Sequence, residues 1–318
     1  MPSQMSWPDL GTKLAGMVQT MIAEIRPRLL QGALSGEHAE SENLRHSDNF
    51  LSAHDLWMHE RYRELLSQHI PSYIYASEEA DPQVIGDAPD PDLCVLVDPL
   101  DTSELAVRAL HGYTHVMAYS RARRRSVVSV VGDIFHHVQL YLATLDRDGR
   151  DKAFAITADG TRHRLCPRRP VPLAEALITN YSMKPAERFI PLAEQRPLLT
   201  ALSHRAPDGK NRGRIGVDFG SVSLCHVAAG FTDATFEFAK GFAIWDLAPG
   251  HHILHAAGGT ALDLDGRPLK LDHGFDSLSD ITQAMNRRQR FVAASSHALA
   301  KEITDAFEGR HAQWPGGP

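Results

Sequence analysis

The chain reads as a layered α/β protein, and three observations carry that expectation. Leu14, Met17, Val18, Met21, Ile22 and Ile25 form an apolar stripe with helical spacing. The short continuous apolar run LCVLV at 93–97 has the texture of a strand covered on both faces. Strand-like segments at 114–120, 126–132, 137–143 and 152–157 then follow one another, before helical and strand-like segments alternate from about residue 172. A length of 318 residues suggests about two domains. The expected division is an N-terminal half over 1–170 and a C-terminal half over 171–318.

Taken in order, the first helix carries the stripe, and Pro27 leaves its end open. The polar segment 31–48 reads as a loop. A second helix is expected from about Asn49 to Gln68, with Leu51, Met58, Tyr62, Leu65 and Leu66 on one face, ending before Pro71. After strand 93–97 come a tight acidic turn and a short helix, ELAVRAL, closed by His111-Gly112. The basic run Arg121–Arg125 reads as a solvated hairpin loop. The second half opens with a strand in EALIT, a polar helical stretch over 186–203 and a Gly-, Lys- and Arg-rich loop at 205–214. There follow a buried helix of small residues in GSVSLCHVAAG, a strand in TDATFEF, a helix from Trp245 to Ala257 and two further α/β units. The tail QWPGGP reads as frayed.

Composition removes several function classes. Hydrophobic residues are 43% and charged residues 23%, a globular balance. Thirty-three Lys and Arg against 39 Asp and Glu give a net charge of −6, which speaks against a nucleic-acid polymer as partner. No window reaches the roughly 18 apolar residues of a membrane helix. MPSQMSWPDLGTKLAG lacks the basic start and apolar core of a secretory signal. Three cysteines, far apart and without a CxxC, fit a reducing cytoplasm.

The chemistry lies in acidic residues at awkward places. Glu78 and Glu79 follow the apolar stretch YIYAS, Asp98 and Asp101 directly follow LCVLV, and Asp246 follows GFAIW. A carboxylate at the end of a buried strand is costly unless it is paired or bound to a metal. Oxygen-only ligands suit Mg²⁺ better than Zn²⁺, and two such ions a few Å apart form a clamp for phosphoryl transfer. The competing account is local. Asp98 and Asp101 can cap the turn and the helix after it, Asp246 can cap the helix it opens, and a Glu-Glu pair commonly faces solvent.

The set and its order decide. SEE (77–79), DPLDTS (98–103) and WDLAPG followed by AAGG (245–250, 256–259) resemble the motifs of the inositol monophosphatase-like metal-dependent phosphatases. SAHD (52–55), FGSVSLCHVAAG (219–230), TDATFEF (232–238) and LDLDGRPL (262–269) resemble further family segments in family order, so the likeness covers roughly 45–270. It implies a five-layer αβαβα sandwich of the sugar-phosphatase type. It implies metal ligation by Glu78, Asp98, the backbone carbonyl of Leu100, Asp101 and Asp246, with two or three Mg²⁺ ions and Mn²⁺ as a substitute. Glu78, Glu79 and Ser103 become the catalytic candidates, Ser103 bonding the attacking water and a glutamate taking up the proton. Thr102, Ser103, Gly220, Ser221 and Glu237 become the candidates for phosphate and substrate, helped by the N-terminus of the helix at Ser103.

Several positions depart from the family. Thr102 stands where glycine is usual, Ala106 where phenylalanine is common, Ser77 replaces the glycine of GEE, and Ala256 replaces a glutamate. Pro249 replaces an alanine at a place read as the first turn of the last motif helix. Arg45 is the candidate for a basic residue that often precedes the SAHD-like segment, and two extra residues lie between Glu237 and Trp245. Among the 18 histidines, His251, His252 and His255 share a helix and His111 and His115 are four apart, but no zinc spacing is complete. These histidines read as core or surface, and Cys94 and Cys225 read as core.

The expected activity is Mg²⁺-dependent hydrolysis of a small polyol phosphate, a cyclitol or sugar phosphate, by a cytoplasmic homodimer. A bisphosphate nucleotidase or fructose bisphosphatase is the enzyme alternative, with Arg121–Arg125 and 205–214 as sources of extra basic contacts. A catalytically silent polyol-phosphate-binding relative is the alternative outside catalysis.

Overall fold

A computed structural model describes residues 6–37, 40–41, 50–205 and 208–307. Residues 38–39 and 42–48 of the loop expected over 31–48, with its Arg45, the helix start expected at Asn49, residues 206–207 of the basic loop and the tail QWPGGP lie outside them. The chain is mixed α/β with two large sheets, and it divides into two compact units. The first comprises residues 1–164 and 271–285, the second 165–270 and 286–318. One later segment, residues 271–285, thus returns to the first unit.

The first unit opens with α1 (Trp7–Ser35). Ser6 caps its start by accepting the Asp9 N–H, and Gly36 ends it in the left-handed conformation at φ 76°. α1 runs through Pro27 and over residues 31–35, where a loop was expected. Pro27 and Ala23, whose carbonyl loses its helical donor, both face water, while Ile25 and Leu29 continue the buried stripe. A small ladder of β1 (Glu40–Ser41) and β2 (Leu51–Ser52) leads to α2 (Ala53–His69). A capping box between Ser52 and Asp55 fixes the start of α2. Then come β3 (Ser72–Ser77), β4 (Ala80–Gly86), β5 (Leu93–Asp101) and the single turn α3 (Ser103–Ala106). The longer helix expected there stops because Ala109 turns left-handed at φ 55°, redirecting the chain into the next strand.

β6 (Tyr113–Ser120), β7 (Arg125–Asp133), β8 (Val138–Leu145), β9 (Asp151–Thr157) and β10 (Arg162–Arg164) complete an eight-stranded sheet ordered β10-β9-β8-β7-β6-β5-β3-β4. The pairings are antiparallel except β3 with β5, which run parallel. α1 and α2 pack together on this sheet around Leu14, Met21, Tyr62, Val97 and Val130.

In the second unit a short strand β11 (Leu177–Asn180) precedes an interrupted helical stretch. The expected helix over 186–203 breaks into a π-turn at Pro185–Phe189, then α4 (Ile190–Ala193) and α5 (Arg196–Ser203). A proline sits at the first or second position of each piece, where it is tolerated, and so restarts the helix each time. β12 (Arg214–Val217), α6 (Gly220–Ala228), β13 (Ala234–Ala243), α7 (Ile244–Ala257) and β14 (Thr260–Leu262) follow. The chain then contributes residues 271–285 to the first unit, including α8 (Leu278–Met285), which packs on β4. Tyr119 donates to Asp272 at 2.8 Å, and Arg124 donates to Asp272 and Asp276, which ties this segment down. β15 (Arg288–Ala294) and α9 (His297–Asp305) close the second unit, whose sheet is ordered β12-β11-β13-β15-β14. Leu198, Phe236, Phe238, Val292 and Ile303 form a core between this sheet, α5 and α9. α6 and α7 pack on each other and on β13 and β15 outside that cluster. Among the described residues no helix is long and apolar enough to cross a membrane.

Candidate active site

β3 and β5 are parallel neighbours with Ser77 beside Val97, so Glu78 and Asp98 leave the same end of the sheet. Glu78 and Glu79 form the half-buried turn between β3 and β4, held by the Glu78 N–H on the Val97 carbonyl and the Glu79 N–H on Ser77 Oγ. Asp98 is 1% exposed. The β5–β6 register shifts between Asp98 and Asp101, and this irregularity at Pro99-Leu100 places both carboxylates on one side. Asp98 lies opposite His115 on β6, and His115 Nε2 is 2.9 Å from Asp101 Oδ2. Asp98, Asp101 and His115 each present one donor atom within 4.8 Å of the others. A buried and a half-buried carboxylate converging with a buried imidazole fit a divalent cation in number and chemistry.

Asp101 does not cap the helix after it. The cap position is Thr102, whose side chain caps nothing and whose hydroxyl donates to Asp101 Oδ1 at 3.1 Å. Thr102 is left-handed at φ 66°. That is why glycine is usual in this motif, since a side chain there costs about 1–2 kcal/mol. Ser103 Oγ stands 2.5 Å from Asp55 Oδ1 and 2.6 Å from the Leu100 carbonyl. Asp55 is 2% exposed and also accepts the Ser52 N–H and hydroxyl. Burial, opposed by these hydrogen bonds, pushes its carboxyl above the usual carboxylate range. Asp55 was legible only as part of SAHD. Its pairing with Ser103, 48 residues on, is a fact of packing.

The second unit carries the other candidates. Asp246 lies half-buried in the first turn of α7, whose cap is Ala243, so it is not the capping residue either. Because α7 starts at Ile244, Pro249 is interior to the helix rather than in its first turn. Ser221 is fully buried. Its hydroxyl donates to the Asp246 carbonyl at 2.7 Å and accepts the Gly250 N–H at 3.1 Å, so it is inserted into the α7 hydrogen-bond ladder beside Pro249. Gly220, at φ 35°, opens α6. The motif glycine Gly250 is required sterically, since a Cβ there would meet the Ser221 carbonyl at 2.3 Å.

Glu237 is fully buried. Its Oε1 accepts the N–H groups of Ala239, Lys240 and Gly241, and its Oε2 accepts Arg188 Nε at 2.6 Å. The turn over Ala239, Lys240 and Gly241 thus wraps this carboxylate, helped by Gly241 at φ 80°. Arg188 was not singled out in the sequence, and its polar surroundings there carry no signal of burial. The basic run on the first unit is internally paired: Arg121 with Asp90, Arg124 with Asp272 and Asp276, and Arg125 with Asp151. His251 and His252 are buried in α7 and Cys94 and Cys225 in the core, as expected; burial pushes the Cys94 thiol up to about 12.

The profile of the inositol monophosphatase family matches residues 12–310. The chain belongs to the inositol monophosphatase family. It is 26% identical to inositol monophosphatase 1 of Sus scrofa over 251 residues, covering 76% of either protein. It is 25% identical to the Nus factor SuhB of Pasteurella multocida over 223 residues, covering 70% of this chain and 75% of that protein. Among solved structures it resembles a Ca-bound family member from Staphylococcus aureus, with a TM-score of 0.68 at 14% identity over 95% of this chain and 96% of the other. A dual-specific inositol monophosphatase/NADP phosphatase bound with D-inositol-1-phosphate gives a TM-score of 0.66 at 13% identity over 96% and 98%. These structural likenesses establish the fold shared with the family.

Proposed function

We propose that this protein is a Mg²⁺-dependent phosphomonoesterase acting on a small polyol phosphate, a cyclitol or sugar phosphate. The convergence of Asp98 and Asp101 at the end of β5 carries the reading. Glu78, Asp98, the Leu100 carbonyl and Asp101 are assigned as metal ligands, and Asp246 is assigned the same role on its motif. The bound cations would supply an activated water and charge stabilisation for the leaving alkoxide. Ser103 orients the attacking water through its hydroxyl. Asp55 receives the hydroxyl's proton as the water's proton moves to Ser103, and its burial makes it a stronger base than a surface aspartate. Glu78 and Glu79 stand at the same strand end as a second proton acceptor. Thr102 and the N–H groups at the start of α3 are assigned to the phosphate. The unit is a cytoplasmic homodimer in this reading.

The test is phosphate release from a panel of small phosphate monoesters, with Mg²⁺ and with chelator, using wild type and Asp98→Asn. Metal-dependent release that Asp98→Asn loses supports the reading. Release that persists in chelator or in Asp98→Asn overturns it. A second reading, a binding protein without turnover, is favoured by the internal pairing of Glu237 and by the Nus factor name of one relative. It is supported if a folded, Mg²⁺-binding protein releases nothing across the panel.

A further inference from the structure

DPLDTS supplies oxygen ligands only, yet the structure sets a nitrogen among them. His115 lies on β6 directly opposite Asp98, and its side chain is 0% exposed. Nε2 points at the carboxylate pair, 2.9 Å from Asp101 Oδ2 and 4.0 Å from Asp98 Oδ2. Nδ1 is buried with no hydrogen-bond partner, so the ring's polar contacts all lie on the carboxylate side. A lone imidazole cannot neutralise the buried Asp98 and the half-buried Asp101 together, and a divalent cation can. Donors sharing a cation at about 2.1 Å stand about 3 Å apart when adjacent and about 4.2 Å apart when opposite. The two separations at His115 fall at and between those values.

We propose that His115 is a nitrogen ligand of the cation held by Asp98 and Asp101. The inference rests on the reading of this cluster as a metal site and deepens it. An imidazole turns an oxygen-only site into a mixed one, and imidazole favours transition ions over Mg²⁺. His115 therefore raises the affinity of the site for Mn²⁺ relative to Mg²⁺. No sequence spacing shows this, because His115 follows Asp101 by 14 residues and meets it only through the β5–β6 register.

Binding and spectroscopy test it without turnover. The full chain is stripped with chelator and titrated with Mn²⁺ and with Mg²⁺ by calorimetry, and bound Mn²⁺ is read by pulsed electron paramagnetic resonance. Wild type shows a directly coordinated nitrogen, and His115→Gln and His115→Ala lose it. Either variant weakens Mn²⁺ about 10-fold or more and Mg²⁺ by less, so the Mn²⁺/Mg²⁺ affinity ratio falls. Bound Mn²⁺ without nitrogen coupling in wild type overturns the proposal while leaving the phosphatase reading standing; His115 then only donates a hydrogen bond to Asp101. An unchanged affinity ratio in both variants also overturns it. Wild type that binds neither ion overturns the metal site itself.

Discussion

Replacing Arg188 by Met should cost this protein more stability than almost any other single polar change. Met keeps much of the bulk over the Tyr181 ring, where the guanidinium now sits 4.3 Å from the centroid. It removes the cation that bonds Glu237 Oε2 at 2.6 Å. Glu237 is fully buried, so its charge cannot turn to water. Three backbone N–H groups at 2.9, 3.1 and 3.4 Å still hold Oε1, but none reaches Oε2. Stranding one partner of a buried ion pair costs about 3–5 kcal/mol, a large share of a typical stability of about 5–15 kcal/mol. The double variant Arg188→Met/Glu237→Gln removes the stranded charge and recovers most of that loss, a coupling of about 2 kcal/mol or more. Urea unfolding of the four proteins in the cycle measures it, and hydrogen exchange at Ala239–Gly241 reports the loop directly. A loss under about 1 kcal/mol in Arg188→Met, with coupling near zero, would refute the account of Glu237 as an internally locked carboxylate.

Four further outcomes follow from particular contacts. Gly132→Ala on β7 should destabilise by about 1–3 kcal/mol in urea unfolding, because its Cβ would meet Val18 at 2.6 Å and press α1 off the sheet. Arg61→Met breaks a two-pronged bond to Glu24 at 2.9 and 2.8 Å between α2 and α1, and should cost about 1 kcal/mol at neutral pH. The Arg61 hydrogen bond holds the Glu24 carboxyl below its usual 4.5, so this difference is present above pH 4.5 and fades as pH falls through the depressed value; pH-dependent melting of both proteins checks it. Ser103→Ala should lower kcat about 100-fold or more, read by steady-state kinetics, and cost about 1–3 kcal/mol in calorimetry because it takes the donor from buried Asp55 Oδ1. In chelator, Asp98→Asn should be at least as stable as wild type, since it relieves a buried charge next to Asp101; a clear loss of stability would contradict the crowding of carboxylates there.

The sequence by itself determined what is local. The stripe of α1, the apolar run of β5 and the acidic motifs are each written within a few residues, and so were readable without coordinates. The family followed from motif order for the same reason. Tertiary structure decided what depends on meeting a distant partner. α1 passes Pro27 because the core beyond it rewards Leu29 and water serves the opposite face. Residues 271–276 lie on the first unit because Tyr119 and Arg124 hold Asp272 and Asp276 there. Glu237 is locked because Arg188, 49 residues earlier, folds back on it. Asp55 reaches Ser103, and His115 reaches Asp101, only through packing and strand register. Linear spacing records periodicity and capping, whereas a buried carboxylate's surroundings are set by whichever strands and helices close over it.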